Sequence, residues 1–153
     1  QMCIRDSHNI TEADLAQILE ADCEFFGANR EKLLVALWEE QPGLAFFTRD
    51  HNQQLTGYLF GVYQQGVLKL RAGISTSIKT TLCLLKAVLT VTKEKPGFSK
   101  ISLGIPEVNQ EVVTLLRDLG FTEGDFSVRM FYGEKSEITT NKAIFAIGHP
   151  AKG

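Results

Sequence analysis

The sequence predicts an α/β domain of the α+β kind, built on one mixed central sheet. Three observations predict it. First, strand-like runs at residues 44–48, 55–63 and 67–70 follow one another across short polar turns, the pattern of an antiparallel meander. Second, a strand-like run at residues 101–105 lies between two helical patterns, which predicts a right-handed β-α-β crossover with parallel neighbours. Third, every helical pattern has one apolar stripe, so each helix must cover a sheet face. The element order read from the chain is α-α-β-β-β-α-β-α-β-β.

The first helix begins at Thr11, a residue type that accepts from free N–H groups, and Asp14 three positions later makes a near capping box. Leu15, Ile18 and Leu19 supply its apolar face. Gly27 permits a bend into a second helix, with Asn29 as its cap and Leu33, Leu34, Leu37 and Trp38 as its buried stripe. Pro42-Gly43 ends that helix. After the meander, Ser75-Thr76-Ser77 starts the longest helix, whose stripe reads as Ile78, Leu82, Leu85 and Leu89 and which stops at Lys95-Pro96-Gly97. The last helix is the most sharply defined. Asn109 can cap it, Val112, Leu115, Leu116 and Leu119 recur at helical spacing, and Gly120 stands where a left-handed residue would stop it. Two final strands are expected at residues 128–132 and 143–147.

Composition fits one domain. The chain has 153 residues, 44% hydrophobic and 22% charged, which is enough for a real core. A formal net charge of −2 gives no field that would favour nucleic acid or an anionic membrane, so neither partner is expected. The best apolar run, residues 82–91, is short and broken by Lys86, so no membrane span is expected. Cys23 and Cys83 have no CxxC or Cys/His spacing and are read as buried structural thiols. No metal is expected, and the lack of a disulfide framework points to a reducing, cytoplasmic setting.

Residues 2–7, Met2-Cys3-Ile4-Arg5-Asp6-Ser7, can be encoded by the end sequence of a transposon used to prepare sequencing libraries. Residues 1–7 are therefore read as a non-native scar. Residues 8–153 are then expected to form a single domain, the C-terminal part of a longer protein.

Several pieces, in this order and spacing, resemble the GNAT N-acetyltransferases. They are Asp22 with Phe26-Gly27-Ala28-Asn29-Arg30, Gly57-Tyr58, the Asn109 helix ending in Gly120-Phe121, Arg129-Met130, and Ile144-Phe145-Ala146-Ile147 with Gly153. The pattern is most similar to the C-terminal GNAT-like domain of YitH-type tandem acetyltransferases. The resemblance implies a GNAT-like fold and acetyl-CoA as co-substrate. It implies acetyl transfer to a small-molecule or peptide amine, and an upstream GNAT domain as partner.

In that family two parallel strands splay to admit acetyl-CoA, and a helix N-terminus faces the pyrophosphate, where free donors and the dipole favour an anion. The matching position here is residues 71–79. Its glycine spacing departs from the family's loop. Ser75, Thr76, Ser77 and Lys79 are candidates to hold phosphate, with an ordinary helix cap as the alternative. Asn109 is a candidate contact to the CoA arm, with capping as the alternative. The chemistry needs a base for the amine and an acid for the thiolate. Glu107 and Tyr132 are the catalytic candidates. Glu107 also reads as a first-turn acid and Tyr132 as a packed strand residue. Asp22 and Glu24 are further bases, though Asp22 and Arg30 read better as a structural pair. Where the family often has a Tyr general acid, this chain has Leu116, which cannot transfer a proton. That departure opens a second expectation: a non-catalytic GNAT-like domain that packs on an upstream catalytic one and shapes its substrate cleft.

Overall fold

A computed structural model of the chain describes residues 7–124 and 141–147. Strand β1 (Ser7–Asn9) leads to helices α1 (Glu12–Phe26) and α2 (Glu31–Glu40). A 3-10 turn then enters β2 (Ala45–Arg49), β3 (Leu55–Gln64) and β4 (Val67–Ser75). Helix α3 (Ile78–Thr92), β5 (Lys100–Leu103), α4 (Gln110–Asp118) and β6 (Ile144–Ile147) follow. Strands β1 to β5 stand side by side in chain order. The first three pairings are antiparallel, β4 and β5 run parallel, and β6 joins β4 antiparallel. The expected mixed sheet, meander and crossover are all present.

Helix ends follow local chemistry. The Thr11 backbone N–H and hydroxyl both donate to the Asp14 carboxylate at 3.0 and 2.6 Å. Those bonds hold the Asp14 pKa below the usual carboxylate range. Gly27 closes α1 in the left-handed region (φ 76°). Asn29 Oδ1 accepts from the Glu31 N–H at the start of α2. Gly120 (φ 90°) ends α4 with both bonds of a Schellman motif, Phe121 N to Leu116 O and Gly120 N to Arg117 O. The β3–β4 hairpin turns at Gln65-Gly66, both with positive φ, as a two-residue turn of matching twist requires.

The sheet separates two cores. Against α1 and α2 lie Ile18, Phe26, Leu34, Leu37, Phe47, Tyr58, Phe60, Val62, Ala72, Ile74 and Ile144. Against α3 and α4 lie Phe46, Leu59, Leu68, Leu70, Leu84, Leu85, Val88, Val112, Leu116 and Phe145.

Five expectations are corrected. Strand β1 was not anticipated, because His8 and Asn9 are polar and exposed and three residues show no alternation. Ser7 lies in that strand opposite Thr48. Strand β4 continues to Ser75 and does not stop at Leu70. The buried face of α3 is Thr81, Leu84, Leu85, Val88 and Thr92, with Ile78, Leu82 and Leu89 only half-buried. That helix is apolar nearly all round, so spacing alone did not fix its phase. Leu119 is 51% exposed, beyond the last turn of α4. Cys23 is exposed, while Cys83 is buried as expected. The expected strand at residues 128–132 lies outside the described residues.

Candidate functional site

The position expected to receive a cofactor is organised by one irregularity in β4. Across the hairpin, Phe60 faces Ala72 while Gly61 faces Leu70, so Arg71 is an extra residue. A bulge of this kind bends its strand and reverses which face the following side chains meet. Leu68 and Leu70 accordingly face the α3–α4 core, whereas Ala72 and Ile74 face the α1–α2 core. The bulge also marks a change of partner. Residues 67–70 pair with β5, and residues 72–74 pair with β6. Past Leu70 the two parallel strands part, and β6 enters between them.

Of the expected phosphate ligands, Ser75 ends β4. It is buried, its N–H donates to Ala143 O, and its hydroxyl bonds Thr81 Oγ1 at 2.5 Å. Thr76 is exposed, but its N–H and hydroxyl both donate to Thr56 O. Ser77 caps α3 by accepting from the Thr80 N–H at 3.1 Å. Lys79 is exposed in the first turn, beside N–H groups that have no partner within the helix. Capping therefore accounts for Ser77. The α3 N-terminus still offers Lys79 and first-turn donors to an anion. Gly73 lies in the strand and not in a loop, facing the Phe145 ring.

Asn109 precedes α4, yet its side chain does not cap the helix. Its amide donates to Lys142 O and Ile144 O at 2.9 and 3.0 Å, holding β6. Glu107 is exposed between β5 and α4, with its carbonyl accepting from Gln110 Nε2. Tyr132 lies outside the described residues. Leu116 is 3% exposed in the α3–α4 core. Placing a phenol there by Leu116→Tyr is expected to overpack that core by about 1–3 kcal/mol without creating activity. Paired denaturation and turnover measurements check this, and a gain of turnover would contradict it.

Acetyl-CoA meets a divided answer. The α3 N-terminus suits its phosphates. The gap between β4 and β5 does not admit its arm, because β6 fills it.

A buried polar cluster joins α1 to its neighbours. Arg30 reaches the Asp22 carboxylate twice, Nε to Oδ2 at 3.0 Å and Nη2 to Oδ1 at 2.5 Å, and both side chains are buried. Tyr58 adds a hydroxyl bond to Asp22 Oδ1 at 2.7 Å, and the guanidinium stacks 3.6 Å from the Phe26 ring centroid. The expected structural pair is thus present, and Tyr58 makes it a network joining both helices to β3. Burial first, then the Asp22 charge, pushes the Tyr58 pKa well above the usual phenol value. Above about pH 10 the unfolded chain loses this proton and the native chain keeps it, so stability falls as pH rises. Denaturation series at pH 9 to 11 should show a decline that is smaller in Tyr58→Phe.

The remaining candidate base, Glu24, is exposed and stands apart from these groups. Two surface hollows lie at the α1–α2 corner, around Asn29 and Glu31. Among the described residues no three His, Cys, Asp or Glu side chains converge on a metal position, and no helix is long and apolar enough to cross a membrane.

Comparison with solved structures finds the same fold in proteins of low identity. The wild-type protein TTHA1254 of Thermus thermophilus is 18% identical, with a TM-score of 0.60 over 84% of this chain and 98% of its own. Ard1 of Thermoplasma volcanium is 14% identical, with a TM-score of 0.63 over 78% and 83%. The aminoglycoside antibiotic 6'-N-acetyltransferase AAC(6')-Ih of Acinetobacter baumannii is 19% identical, with a TM-score of 0.58 over 85% and 99%. No curated protein matches the sequence. The family described as Acetyltransferase (GNAT) domain matches residues 18–146, from α1 to β6. With the meander, the parallel β4–β5 pair and that match in hand, the chain belongs to the GNAT acetyltransferase domain family.

Proposed function

We propose that this chain serves acetyl-CoA-dependent transfer of an acetyl group to an amine. The observation that carries the reading is the family match over residues 18–146, which spans the strand and helix termini that would meet the cofactor. In this reading Lys79, Ser75, Thr76, Ser77 and the first turn of α3 face the pyrophosphate, and Asn109 faces the arm. Glu107 and Tyr132 are the proposed proton-transfer groups, and the acceptor is a small-molecule or peptide amine. The domain spans residues 8–153, and its natural setting is a cytoplasmic tandem protein whose upstream GNAT domain packs against it.

The test is release of the CoA thiol from acetyl-CoA across a panel of polyamines, aminoglycosides and peptide amines. Lys79→Ala should weaken acetyl-CoA binding about three- to tenfold, in line with the loss of one charge-assisted contact. Unchanged affinity would remove Lys79 from the site. Turnover with no amine by a folded sample would contradict the catalytic reading.

A second reading has its own observations. Leu116 is buried where a proton donor is needed, and β6 fills the β4–β5 gap. Both favour a non-catalytic GNAT-like domain that shapes the cleft of an upstream catalytic partner. Intact full-length activity after Thr76→Ala and Lys79→Ala together would support it.

A further inference from the structure

Where β4 and β5 part, the gap holds a strand of the chain itself. Strand β6 sits on the β4 edge that β5 leaves, with Ile147 opposite Ala72, Ala146 opposite Gly73 and Ile144 opposite Ile74. On its other side Ile147 exchanges both backbone bonds with Gly104, just past the end of β5 (N to O 2.9 Å, O to N 3.3 Å). One strand therefore bridges the two walls.

The walls are shaped for it. A Cβ on Gly73 would stand 2.8 and 2.9 Å from two Phe145 ring carbons and 3.0 Å from the Ala146 Cβ. A Cβ on Gly104 would stand 2.9 Å from Ile147 Cγ1 and 3.0 Å from its carbonyl oxygen. Neither glycine has a positive φ, so close approach and not backbone conformation accounts for their place here. Three further bonds fasten the entry to β6: Ser75 N to Ala143 O, and the Asn109 amide to Lys142 O and Ile144 O. Phe145 and Ala146 are fully buried.

We infer that β6 is a plug in cis: it occupies the β4–β5 gap that the arm of an acyl-CoA would need, so β6 docking and acyl-CoA binding exclude one another. This inference rests on the acetyltransferase reading above. Neighbouring strands lie about 4.8 Å apart, so the edge of residues 72–74 takes one partner at a time. An extended amide-bearing arm would need the same backbone groups and the same Asn109 amide. The affinity of such a ligand is then reduced by the fraction of molecules with β6 undocked. The described conformation is the closed one.

Hydrogen exchange on the full chain tests this, with acetyl-CoA as the probe. Saturating acetyl-CoA should speed exchange at the Ile144, Ala146 and Ile147 amides at least tenfold while β2 and β3 stay protected. Calorimetry should show Phe145→Ala binding acetyl-CoA at least tenfold more tightly than the wild type, including the case where only the variant binds. Should Phe145→Ala fail to fold, the wild-type exchange data decide alone. Binding with β6 still protected and equal affinity in the two proteins would overturn the plug and leave the acetyltransferase reading standing. No binding by either folded protein would overturn the acetyltransferase reading, and the plug with it.

Discussion

Asp22→Ala is expected to lower stability by about 3–5 kcal/mol, because it leaves the buried Arg30 guanidinium without its counter-charge. For a chain of this length that is roughly a 10 °C loss in the thermal midpoint. The effect comes less from the bond lost than from the charge stranded. Arg30 is stacked on Phe26, and among the described residues its Nη1 has no hydrogen-bond partner, so the guanidinium has little room to find water. The network also ties α1, α2 and β3 together through Tyr58, so the α1–α2 hairpin should loosen first. Replacing both charges, Asp22→Leu with Arg30→Met, should cost clearly less than Asp22→Ala alone. Urea denaturation of the three proteins checks the order. A single variant within about 1 kcal/mol of wild type would show that the pair is not held in a dry site.

Phe145→Ala is the second large effect, expected at about 3–5 kcal/mol from lost burial and the cavity left behind. It should be coupled to Gly73. In the native chain a methyl at residue 73 runs into the Phe145 ring, so Gly73→Ala strains the structure. Once the ring is gone, that methyl finds space. The two changes together should therefore cost less than the sum of the two alone. A double-mutant cycle in urea measures the coupling. Strict additivity would mean that Gly73 is not there to make room for Phe145.

The sequence carried much of the fold because its boundaries have chemical markers. Thr11 with Asp14, Gly27, Pro42, Ser77 and Gly120 each act through a backbone need that few residue types satisfy, and each falls at an element end. The antiparallel meander was legible from its alternation and polar turns. What escaped were features that depend on distant partners. The β4 bulge at Arg71 is defined only by the register against β3, and it concealed the second half of that strand. Strand β1 is too short and polar to read except against β2. The phase of α3 required knowing which side meets the sheet.

The site was less legible than the fold for the same reason. Asp22 and Arg30 are eight residues apart and their pairing could be anticipated, but Tyr58 joins them across 36 positions. Asn109 looked like a cap and instead serves β6, more than thirty residues away. Gly73 looked like part of a phosphate loop because a strand glycine and a loop glycine are the same letter. Only the approach of Phe145 tells them apart.

A GNAT domain with a filled β4–β5 gap serves acetyl-CoA chemistry only if it still binds the cofactor. Isothermal titration of the folded chain with acetyl-CoA decides this, up to about 1 mM, where even a weak site of roughly −4 kcal/mol is seen. Saturable one-to-one binding that free CoA displaces is the expected result. Flat titrations of both the wild type and Phe145→Ala, each shown to be folded, would contradict it and leave this domain as the cleft-shaping partner of another.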